Sequence, residues 1–512
     1  MKSVAKLREK AETMKKGGHT VMHTICLKDN WTLTVLGKNV YDIPKTPIET
    51  KVPSTVYGTL LEKGLIPDPF YRDNELDALK LMENDFAYET TIVISEEDRK
   101  ADRLFLHFDG IDTIADVYLN GEKYPMYGVC RHQDWWGLGS ALKNENHDFD
   151  LAQIMDVGAT TVRFAHYQQS DYLYSRCDSL GLIVWAEIPF VNRVTGYEAE
   201  NAQSQLRELI RQNFNHPSIY VWGLHNEVYH PHEYTSQLTA ALHDLAKTED
   251  PDRYTVSVNG YGHMEHPVNL NADIQGMNRY FGWYEKKIQD IDAWVEGLEE
   301  KYPYEKLMLS EYGADANIYH QTEYLGQSLN WTKPYYPETF QTKTHEYQWS
   351  VIARHPYIIA SYLWNMFDFA TPMADRGGIP GRNMKGLMTF DRKTRKDSYF
   401  WYKANWSKEP VLHLTQRRNV DREKQETSVT VYSNIGMPKV FLNGRELQGV
   451  RKGYTDVHYV FDHVTLGDGK NRLKAVVSRD GKEYTDEIEW NYSGEKNRGT
   501  EAYENKNEHF GL

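Results

Sequence analysis

The sequence is poor in cysteine and in basic charge, and each shortage excludes a class of protein. Cys26, Cys130 and Cys177 are the three cysteines in 512 residues. So few, and an odd number, do not make a disulfide framework and are typical of a reducing compartment. The formal net charge is −14 and the pI is about 5.8, whereas binding to nucleic acid requires a basic surface. We therefore expect no nucleic-acid partner.

Long apolar runs are also missing. No stretch approaches the roughly 20 residues that a membrane-spanning helix needs, so we expect no membrane partner. The segment MKSVAKLREKAETMKKGGHT is charged throughout and lacks the apolar centre of a signal peptide. We interpret residues 1–21 as an extension and expect a cytoplasmic protein. Residues 493–512 form a polar tail with the composition of a disordered segment.

Aromatic residues are abundant at 13% of the chain, with 36 Tyr and 13 Trp. Two explanations stay open on composition alone. One is a set of large β-rich cores. The other is a set of flat surfaces for sugar rings, whose C–H faces pack on aromatic rings while their hydroxyls form hydrogen bonds at the rim.

The chain is too long for a single compact core, and its strand rhythm changes twice. Residues 22–122 contain WTLTVL, YETTIVI, RLFLHF and TIADVYLNG, interrupted by the helical VYGTLLEKG, which predicts a partial N-terminal β-sandwich with a helical insertion. Residues 407–492 return to strands joined by NG, DG and GDG turns, which predicts an immunoglobulin-like β-sandwich.

Between these regions, residues 123–406 alternate short apolar runs with longer amphipathic stretches. The runs are PMYGVCR, TTVRFAHY, LIVWAEIPF, SIYVWGLHNE, YTVSVNGY, IQGMNRYFG, KLMLSEYG and IIASYLWNMFDF. Eight strand–helix repeats predict a central (β/α)8 TIM barrel flanked by β-sandwich domains. A doubly wound sheet would place a glycine-rich phosphate turn after its first strand, and GVCRHQDWWGLG is not such a turn.

Polar residues recur where the predicted strands end, which is where a TIM barrel carries its catalytic groups. Glu227 ends the fourth run and Glu311 the seventh, so the two could face each other across the mouth. Glycosidic cleavage needs one carboxyl to protonate the leaving oxygen and a second to attack the anomeric carbon or to activate water. Either glutamate alone is more often a solvated loop acid, but the two together at matched strand ends favour catalysis.

Neighbouring residues fit the same chemistry. Asn226 could form a hydrogen bond to a sugar 2-hydroxyl, and Tyr280 could donate to the attacking carboxylate and keep it ionised. Arg163 and Asn278 also lie at strand ends and are expected to support the site.

The barrel region resembles glycoside hydrolase family 2, and within it the β-galactosidases. The segments GVCRHQDWW, VWGLHNE, MLSEYGA and LWNMFDF carry the resemblance, which continues into VYSNIGMPKVFLNG. It implies a retaining exo-acting mechanism without a cofactor, with Glu227 as acid/base and Glu311 as nucleophile. It also implies that His132, His166, Tyr280 and Trp364 line the sugar subsite.

The choice of sugar is less definite. HYQQ, GLGSALKNEN and DRKTRKDSYFWYKANW favour release of terminal β-galactose, so a β-galactoside is the expected substrate. The alternatives are β-glucuronidase and β-mannosidase activity. Asn383 and Lys385 match the Asn-x-Lys pattern with which β-glucuronidases hold a carboxylate. The magnesium signature of well-known galactosidases is missing from AEIPFVNRV, and HPHE at 230–233 is interpreted as a solvated loop, so we expect no required metal.

The N-terminal region breaks the pattern. DNWTLTV and VPSTVYGTLLEKGLIPDPFYRDNE look like the start of a family 2 β-mannosidase, and the barrel begins directly after ADVYLNG, where half a sandwich and an immunoglobulin-like domain should follow. We interpret Leu119–Asn120–Gly121 as a seam left by fusion or internal deletion, and a naturally shortened architecture is the alternative. Exposed sheet edges there would favour a homo-oligomer. Reduced activity is expected, and an inactive sugar-binding remnant is the alternative of another class.

Overall fold

The computed structural model describes residues 25–37, 40–96, 98, 117–120, 122–123, 125–228, 232–260, 264–303, 305, 307–371 and 377–494. The chain divides into two units, Met1–Tyr124 and Pro125–Leu512, and each is described by itself. The predicted 1–21 extension, the RLFLHF strand, residues 495–512 of the tail and the first two residues of HPHE lie outside the described residues.

The first unit is built on a three-stranded antiparallel sheet. Its strands are β1 (Trp31–Leu36), β2 (Ile48–Thr50) and β3 (Asp85–Thr90), in the order β2-β1-β3, and its helices are α1 (Val56–Glu62) and α2 (Asn74–Leu81). Alternation in WTLTVL turns Leu33 and Val35 into a core that also includes Leu60 and Leu81. The helix α1 was predicted, whereas α2 was missed and the TIVI part of the second predicted strand is not a strand.

A short hairpin ends this unit. Strands β4 (Tyr118–Leu119) and β5 (Glu122–Lys123) pair across Asn120–Gly121. The second Leu-Asn-Gly tripeptide also turns a hairpin, because Leu442 pairs with Arg445 and both Asn443 and Gly444 have positive φ, 50° and 84°. This is the geometry of a two-residue turn, for which Asn-Gly is the preferred sequence. Asn120 and Asn443 both have positive φ, 53° and 50°, whereas Gly121 lies outside the described residues.

The second unit contains a closed barrel of eight parallel strands. In chain order they are β6 (Tyr127–Arg131), β7 (Thr161–Phe164), β8 (Ile183–Glu187), β9 (Ile219–Asn226), β10 (Tyr254–Asn259), β11 (Ile274–Asn278), β12 (Leu307–Glu311) and β13 (Ile358–Leu363). Pairing of β13 with β6 closes the cylinder. Each strand coincides with one of the eight predicted runs, and the predicted fold class is confirmed.

Helices surround the barrel in the connections between strands. They are α3 (Asn144–Asp156), α4 (Asp171–Leu180), α5 (Ala199–Asn213), α6 (Glu233–Glu249), α7 (Asp290–Lys301), α8 (Glu338–Arg354) and, after β13, α9 (Asp397–Trp406). Leu206, Leu209 and Ile210 show why α5 forms, since spacings of three and four turn all three toward the barrel. Between β10 and β11 the described residues contain no helix, so the repeat is less regular than predicted. None of the described helices is both long and apolar enough to cross a membrane.

A two-sheet sandwich follows the barrel in the same unit. Its strands are β16 (Leu412–Leu414), β17 (Asp421–Arg422), β18 (Glu426–Ser433), β19 (Lys439–Leu442), β20 (Arg445–Glu446), β21 (Val450–Lys452), β22 (His458–Thr465), β23 (Gly469–Arg479) and β24 (Lys482–Tyr492). They form sheets of order β16-β18-β22-β21 and β17-β24-β23-β19-β20. One apolar core, including Val431, Phe461, Leu473 and Trp490, joins the two sheets. A separate pair, β14 (Phe369–Ala370) and β15 (Arg382–Asn383), lies between β13 and α9.

Candidate active site

Buried polar residues end most of the barrel strands, and four of them concern the site. Glu187, Asn226, Asn278 and Glu311 end β8, β9, β11 and β12, and Glu227 directly follows β9. The carboxyl ends of parallel barrel strands open at one mouth, so these side chains converge there. The predicted residues on separate strands are therefore brought into one cluster.

Arg163, at the third position of β7, organises this cluster. Its guanidinium donates to both oxygens of Glu187 at 3.0 Å, to Glu311 Oε1 at 2.9 Å and to Asn226 Oδ1 at 2.8 Å, and it packs 4.5 Å from the Trp185 ring. Burial alone would lower the pKa of Arg163, but Glu187 and Glu311 outweigh burial and raise it. A permanently charged fork thus holds two carboxylates and one amide in fixed positions.

Glu311 receives donors on both carboxylate oxygens. Tyr280 Oη donates to Oε2 at 2.6 Å, opposite the Arg163 bond to Oε1. Burial raises the pKa of Glu311, and Arg163, His166 and Tyr280 oppose the rise while the nearby Glu227 adds to it. The effect of Glu227 on the pKa of Glu311 places the two carboxyl groups in one electrostatic site.

Glu227 is held differently. Asn278 Nδ2 donates to Glu227 Oε1 at 2.9 Å and to Asn226 Oδ1 at 3.2 Å, so one amide links the Asn-Glu pair. The φ angle of Glu227 is 48°, in the left-handed region that residues with a Cβ enter at a cost. A Cβ added at Gly260 would lie 3.0 Å from the Glu227 carboxylate, so a glycine is needed to leave room for it.

An aromatic wall lies beside the carboxylates. His166 stacks on Trp364 with ring centroids 4.9 Å apart, and its Nδ1 donates to Glu187 at 2.6 Å. His132 meets the edge of both rings and stacks on Phe369 at 4.1 Å. Burial and the positive charge of neighbouring groups lower the pKa of His132, so this ring is neutral at physiological pH. The wall offers flat apolar faces with polar edges, as a pyranose requires.

Lys385 lies against the same tyrosine that contacts Glu311. Its ammonium group is 5.5 Å from the Tyr280 ring centroid and donates to Tyr284 Oη at 2.8 Å and to Asp315. Burial lowers the pKa of Lys385, but Asp315 and Tyr284 outweigh burial and raise it, so the charge persists. The side-chain oxygen of Asn383 accepts the backbone N–H of Lys385 at 3.1 Å, which ties the two predicted residues together.

Sequence reasoning did not assign three residues of this cluster to the site. Glu187 ends β8, and its position after the apolar IVWA is the same signal that singled out Glu311. Asp315 and Tyr284 lie in loops, four residues after Glu311 and Tyr280 respectively. Nothing in their local sequence distinguishes them from solvated loop residues, since their role depends on the approach of Lys385 from a distant segment.

One described group could hold a metal ion, and it lies away from this cluster. Asp292 and Glu296 on α7 and His355 after α8 have ligand atoms within 4.8 Å of one another. Arg354 pairs with Asp292, and a cation at that carboxylate opposes a second one. The expectation that the chain needs no metal remains a prediction.

The fold and the site together define a class of protein. A closed parallel barrel whose mouth gathers two carboxylates on an arginine, amides and a wall of aromatic rings is an arrangement typical of glycoside hydrolases. Residues 113–409 match the model of the family "Glycosyl hydrolases family 2, TIM barrel domain", and residues 31–125 match "Glycosyl hydrolase 2 galactose-binding domain-like". The chain belongs to glycoside hydrolase family 2. The two matches overlap at 113–125, which leaves no residues between them for another domain.

Individual relatives differ in the sugar that their names specify. The chain is 36% identical to a β-glucuronidase of Bacteroides fragilis over 81% of its own length and 61% of that enzyme. It is 84% identical to a solved structure named "putative beta-galactosidase from bacteroides fragilis", with a TM-score of 0.74, over 75% of this chain and 57% of that one.

A third relative carries a covalent inhibitor. It is Bacteroides uniformis β-glucuronidase 2 covalently bound to cyclophellitol-6-carboxylate aziridine, 28% identical with a TM-score of 0.65, over 80% of this chain and 49% of that one. The chain thus spans between about half and three fifths of the length of these relatives.

Proposed function

We propose that this chain is a retaining, exo-acting β-glucuronidase, with Glu311 as nucleophile and Glu227 as acid/base. The sequence favoured a β-galactoside, and the glucuronide was its alternative. The observation that carries the change from galactoside to glucuronide is the buried Lys385 ammonium group. It lies against the Tyr280 ring, and the Tyr280 hydroxyl in turn contacts the Glu311 carboxylate. The curated relative that is 36% identical is also a β-glucuronidase.

Lys385 can accept a further carboxylate. An ammonium group has three N–H donors, and two of them are used by Tyr284 and Asp315. The Tyr284 hydroxyl, which accepts from Lys385, keeps its own proton as a donor. A sugar carboxylate could therefore take one N–H and one O–H at this position, and its negative charge would complement the lysine.

The proposed reaction is a double displacement. Glu311 attacks the anomeric carbon from one side while Glu227 gives its proton to the departing glycosidic oxygen, so that a glycosyl–enzyme ester and a free alcohol form. Glu227, now a carboxylate, then takes a proton from water, whose oxygen attacks the same carbon and releases Glu311. Arg163 and Tyr280 keep Glu311 ionised before the attack and stabilise it as it leaves. His166, Trp364 and His132 line the sugar ring, and Asn226 lies where a 2-hydroxyl would bind.

A β-galactosidase is the second candidate, and one observation favours it. Asp315 pairs with Lys385, so the charge at this position is balanced and a neutral 6-hydroxyl could also be bound. The structural relative that is 84% identical is named for this activity. Matched 4-nitrophenyl β-glucuronide, β-galactoside and β-mannoside distinguish the candidates by kcat/KM. We expect the glucuronide to exceed the galactoside by at least about 100-fold, and a preference for the galactoside would overturn the assignment of the sugar.

Lys385→Met tests the basis of that preference. The variant should lose about 100-fold or more in kcat/KM on the glucuronide and change much less on the galactoside, because the lost ion pair involves only the carboxylate. Lys343→Met is the matched control, since Lys343 is a partly buried lysine on α8 whose ammonium donates to the Gly326 carbonyl instead. Equal losses of the variant on both sugars would contradict a role in carboxylate recognition.

Covalent labelling tests the nucleophile. Incubation with cyclophellitol-6-carboxylate aziridine should add one inhibitor per chain, on a peptide that contains Glu311, and Glu311→Gln should remain unlabelled. Labelling of another residue, or turnover by Glu311→Gln, would refute the role of Glu311. Binding of a glucuronide without hydrolysis, unchanged in Glu311→Gln, would instead identify an inactive sugar-binding remnant.

The role of Glu227 is tested by the leaving group. Glu227→Ala should reduce kcat/KM far more for alkyl glucuronides than for 2,4-dinitrophenyl glucuronide, because good leaving groups need little protonation. Steady-state rates with both substrates measure the difference. A loss of the same size for both would be inconsistent with an acid role.

A further inference from the structure

The loop that follows β6 carries a large aromatic side chain that the sugar site does not use. Trp136 is 60% exposed, in a loop at the carboxyl end of the barrel strands. Apolar surface in water is unfavourable, and single exposed rings are common on proteins. Exposure alone therefore shows nothing, and the surroundings of the ring decide its meaning.

The indole is held in place on a built support. The Arg382 guanidinium carbon lies over the Trp136 ring, 5.0 Å from its centroid, and Phe390 meets the ring at 5.9 Å and 72°. Arg382 also lies 5.4 Å from the Phe390 ring. It makes no hydrogen bond or ion pair to the residues that the structure describes. A fixed exposed ring next to an arginine with unused donors offers both an apolar face and polar contacts.

The loop itself is braced. Trp135 N–H donates to the Gly139 carbonyl at 3.0 Å, which closes a tight turn around Trp136. Arg392 packs 4.7 Å from the Trp135 ring and donates to the Asp134 carbonyl at 2.8 Å. The position of Trp136 is thus set by several contacts rather than by its own rotamer alone.

The same loop is attached to the aromatic wall of the sugar site. Asp134 accepts the backbone N–H of Ala370 at 2.8 Å, and Ala370 pairs with Arg382 across the β14–β15 ladder. The residue before Ala370 is Phe369, which stacks on His132. Trp136 and Arg382 therefore border the sugar subsite.

We propose that Trp136, with Arg382 beside it, is the platform for the aglycone, the group on the leaving side of the scissile bond. The inference rests on the proposed glycosidase function. The ring face packs on an aryl or pyranose ring of the aglycone, and Arg382 donates to that group's oxygens. The pair makes the site selective for glycosides with a ring next to the cleaved bond over glycosides of small alcohols.

Methyl and benzyl β-glucuronides test this proposal, because their two alcohols have nearly the same basicity and differ by a phenyl ring. Trp136→Ala should lower kcat/KM for the benzyl glycoside about tenfold, which corresponds to a lost aromatic contact of about 1.4 kcal/mol. It should change kcat/KM for the methyl glycoside less than twofold. Trp136→Phe should restore most of the benzyl preference. Inhibition by free glucuronate, which occupies only the sugar side, should be the same in all variants.

Phe214→Ala provides a matched control. Phe214 is 43% exposed, and the guanidinium carbon of Arg253 lies 5.6 Å from the centroid of its ring. Unlike Trp136, it follows α5, at the opposite end of the barrel. It should leave the benzyl-to-methyl ratio unchanged. Equal losses on both glycosides in Trp136→Ala, or no loss on either, would overturn the platform.

The outcome is separable from the choice of sugar. If the wild-type chain cleaves galactosides instead, the benzyl-to-methyl ratio of kcat/KM is measured with the methyl and benzyl galactosides, and the same criteria apply to the platform. If the wild-type chain cleaves no glycoside, including activated aryl glycosides, both the proposed function and the platform are refuted.

Discussion

Two glutamates of the second unit, Glu311 and the largely buried Glu346, each accept a hydrogen bond from a tyrosine but differ in the cation that contacts them. Glu311 at the barrel mouth accepts from Tyr280 at 2.6 Å, and Glu346 on α8 accepts from Tyr432 of the sandwich at 2.5 Å. Glu311 also pairs with Arg163 at 2.9 Å. Among the described residues, the basic group within ion-pair distance of Glu346 is the His458 ring, at 3.7 Å.

The difference shows what a buried cation does to a carboxyl group. Burial raises the pKa of Glu346 to about 7, against the lowering effect of the Tyr432 hydrogen bond. Burial also raises the pKa of Glu311, but Arg163 opposes it at contact distance. At Glu346 the Tyr432 donor and the charge of Lys343 do not offset burial and the charge of Asp397. At Glu311 an arginine at contact distance opposes burial, which suits Glu311 to the nucleophile role that we propose.

Removing the cation should make Glu311 resemble Glu346. In Arg163→Met, the pKa of Glu311 should rise, so the acid limb of the kcat/KM profile should move to higher pH and activity at pH 7 should fall at least about 100-fold. The pH profile on 4-nitrophenyl β-glucuronide between pH 5 and 9 measures the shift.

A stability control separates this effect from unfolding. Arg131 is also buried at the end of a barrel strand and pairs with Asp150 at 2.9 Å, away from Glu311. Arg131→Met should also lower the melting temperature, because it removes one of the two arginines that pair with the buried Asp150. An unmoved acid limb in Arg163→Met would show that the arginine does not set the charge of Glu311.

The hydroxyl donor should have a smaller effect. Tyr280→Phe removes a hydrogen bond to the charged form of Glu311, so the pKa of Glu311 should rise and the acid limb should move up by about one pH unit. Tyr284→Phe is the control, since its hydroxyl contacts Lys385 and not Glu311. It should leave the limb in place and affect glucuronide binding. A downward shift in Tyr280→Phe would contradict the geometry.

Glu346 itself should affect stability and not catalysis. Its pKa in the folded protein, about 7, exceeds the ordinary value of 4.5. The folded state therefore binds more protons between these values, and the contribution of Glu346 to stability falls as pH rises through that window. Glu346→Gln should thus stabilise the protein at pH 8 by on the order of 1–3 kcal/mol and much less at pH 5.

Thermal melts of wild type and variant at pH 5 and pH 8 measure this difference. Glu300→Gln, an exposed position on α7, should change neither melt. His458, whose pKa burial lowers to about 4, is common to both proteins, so it largely cancels in the comparison. A variant that is more stabilised at pH 5 than at pH 8 would be evidence against a protonated Glu346.

The barrel strands were predictable because each is buried on both faces and reads as a short apolar run between polar segments. The position of Glu227 and Glu311 followed from those runs, since the end of a strand is visible in the sequence. The helix α2 was missed because NELDALKL buries little more than Ala78 and Leu81 and has a weak periodic signal. The missing helix between β10 and β11 was not foreseen because the other repeats suggested regularity.

The contacts that decide the chemistry were not predictable in the same way. Arg163 was expected only as a supporting residue, yet it binds two carboxylates and an amide from three other strands. Asp315, which pairs with Lys385, gave no local signal, although Lys385 carries the proposed choice of sugar. Separations of 24, 63 and 148 residues lie between Arg163 and its partners, so no local pattern could connect them.

The sequence by itself determined the family, through the resemblance of its motifs. It also determined the eight-stranded barrel and the strand ends that carry Asn226, Glu227 and Glu311, because hydrophobic periodicity and strand termini are local properties of the chain. Only the tertiary structure decided which charge faces which carboxyl group and which cation lies beside Tyr280. The reason is physical: the pKa of a buried group depends on desolvation and on charges a few ångströms away, and closure of the barrel brings those charges together from distant parts of the chain.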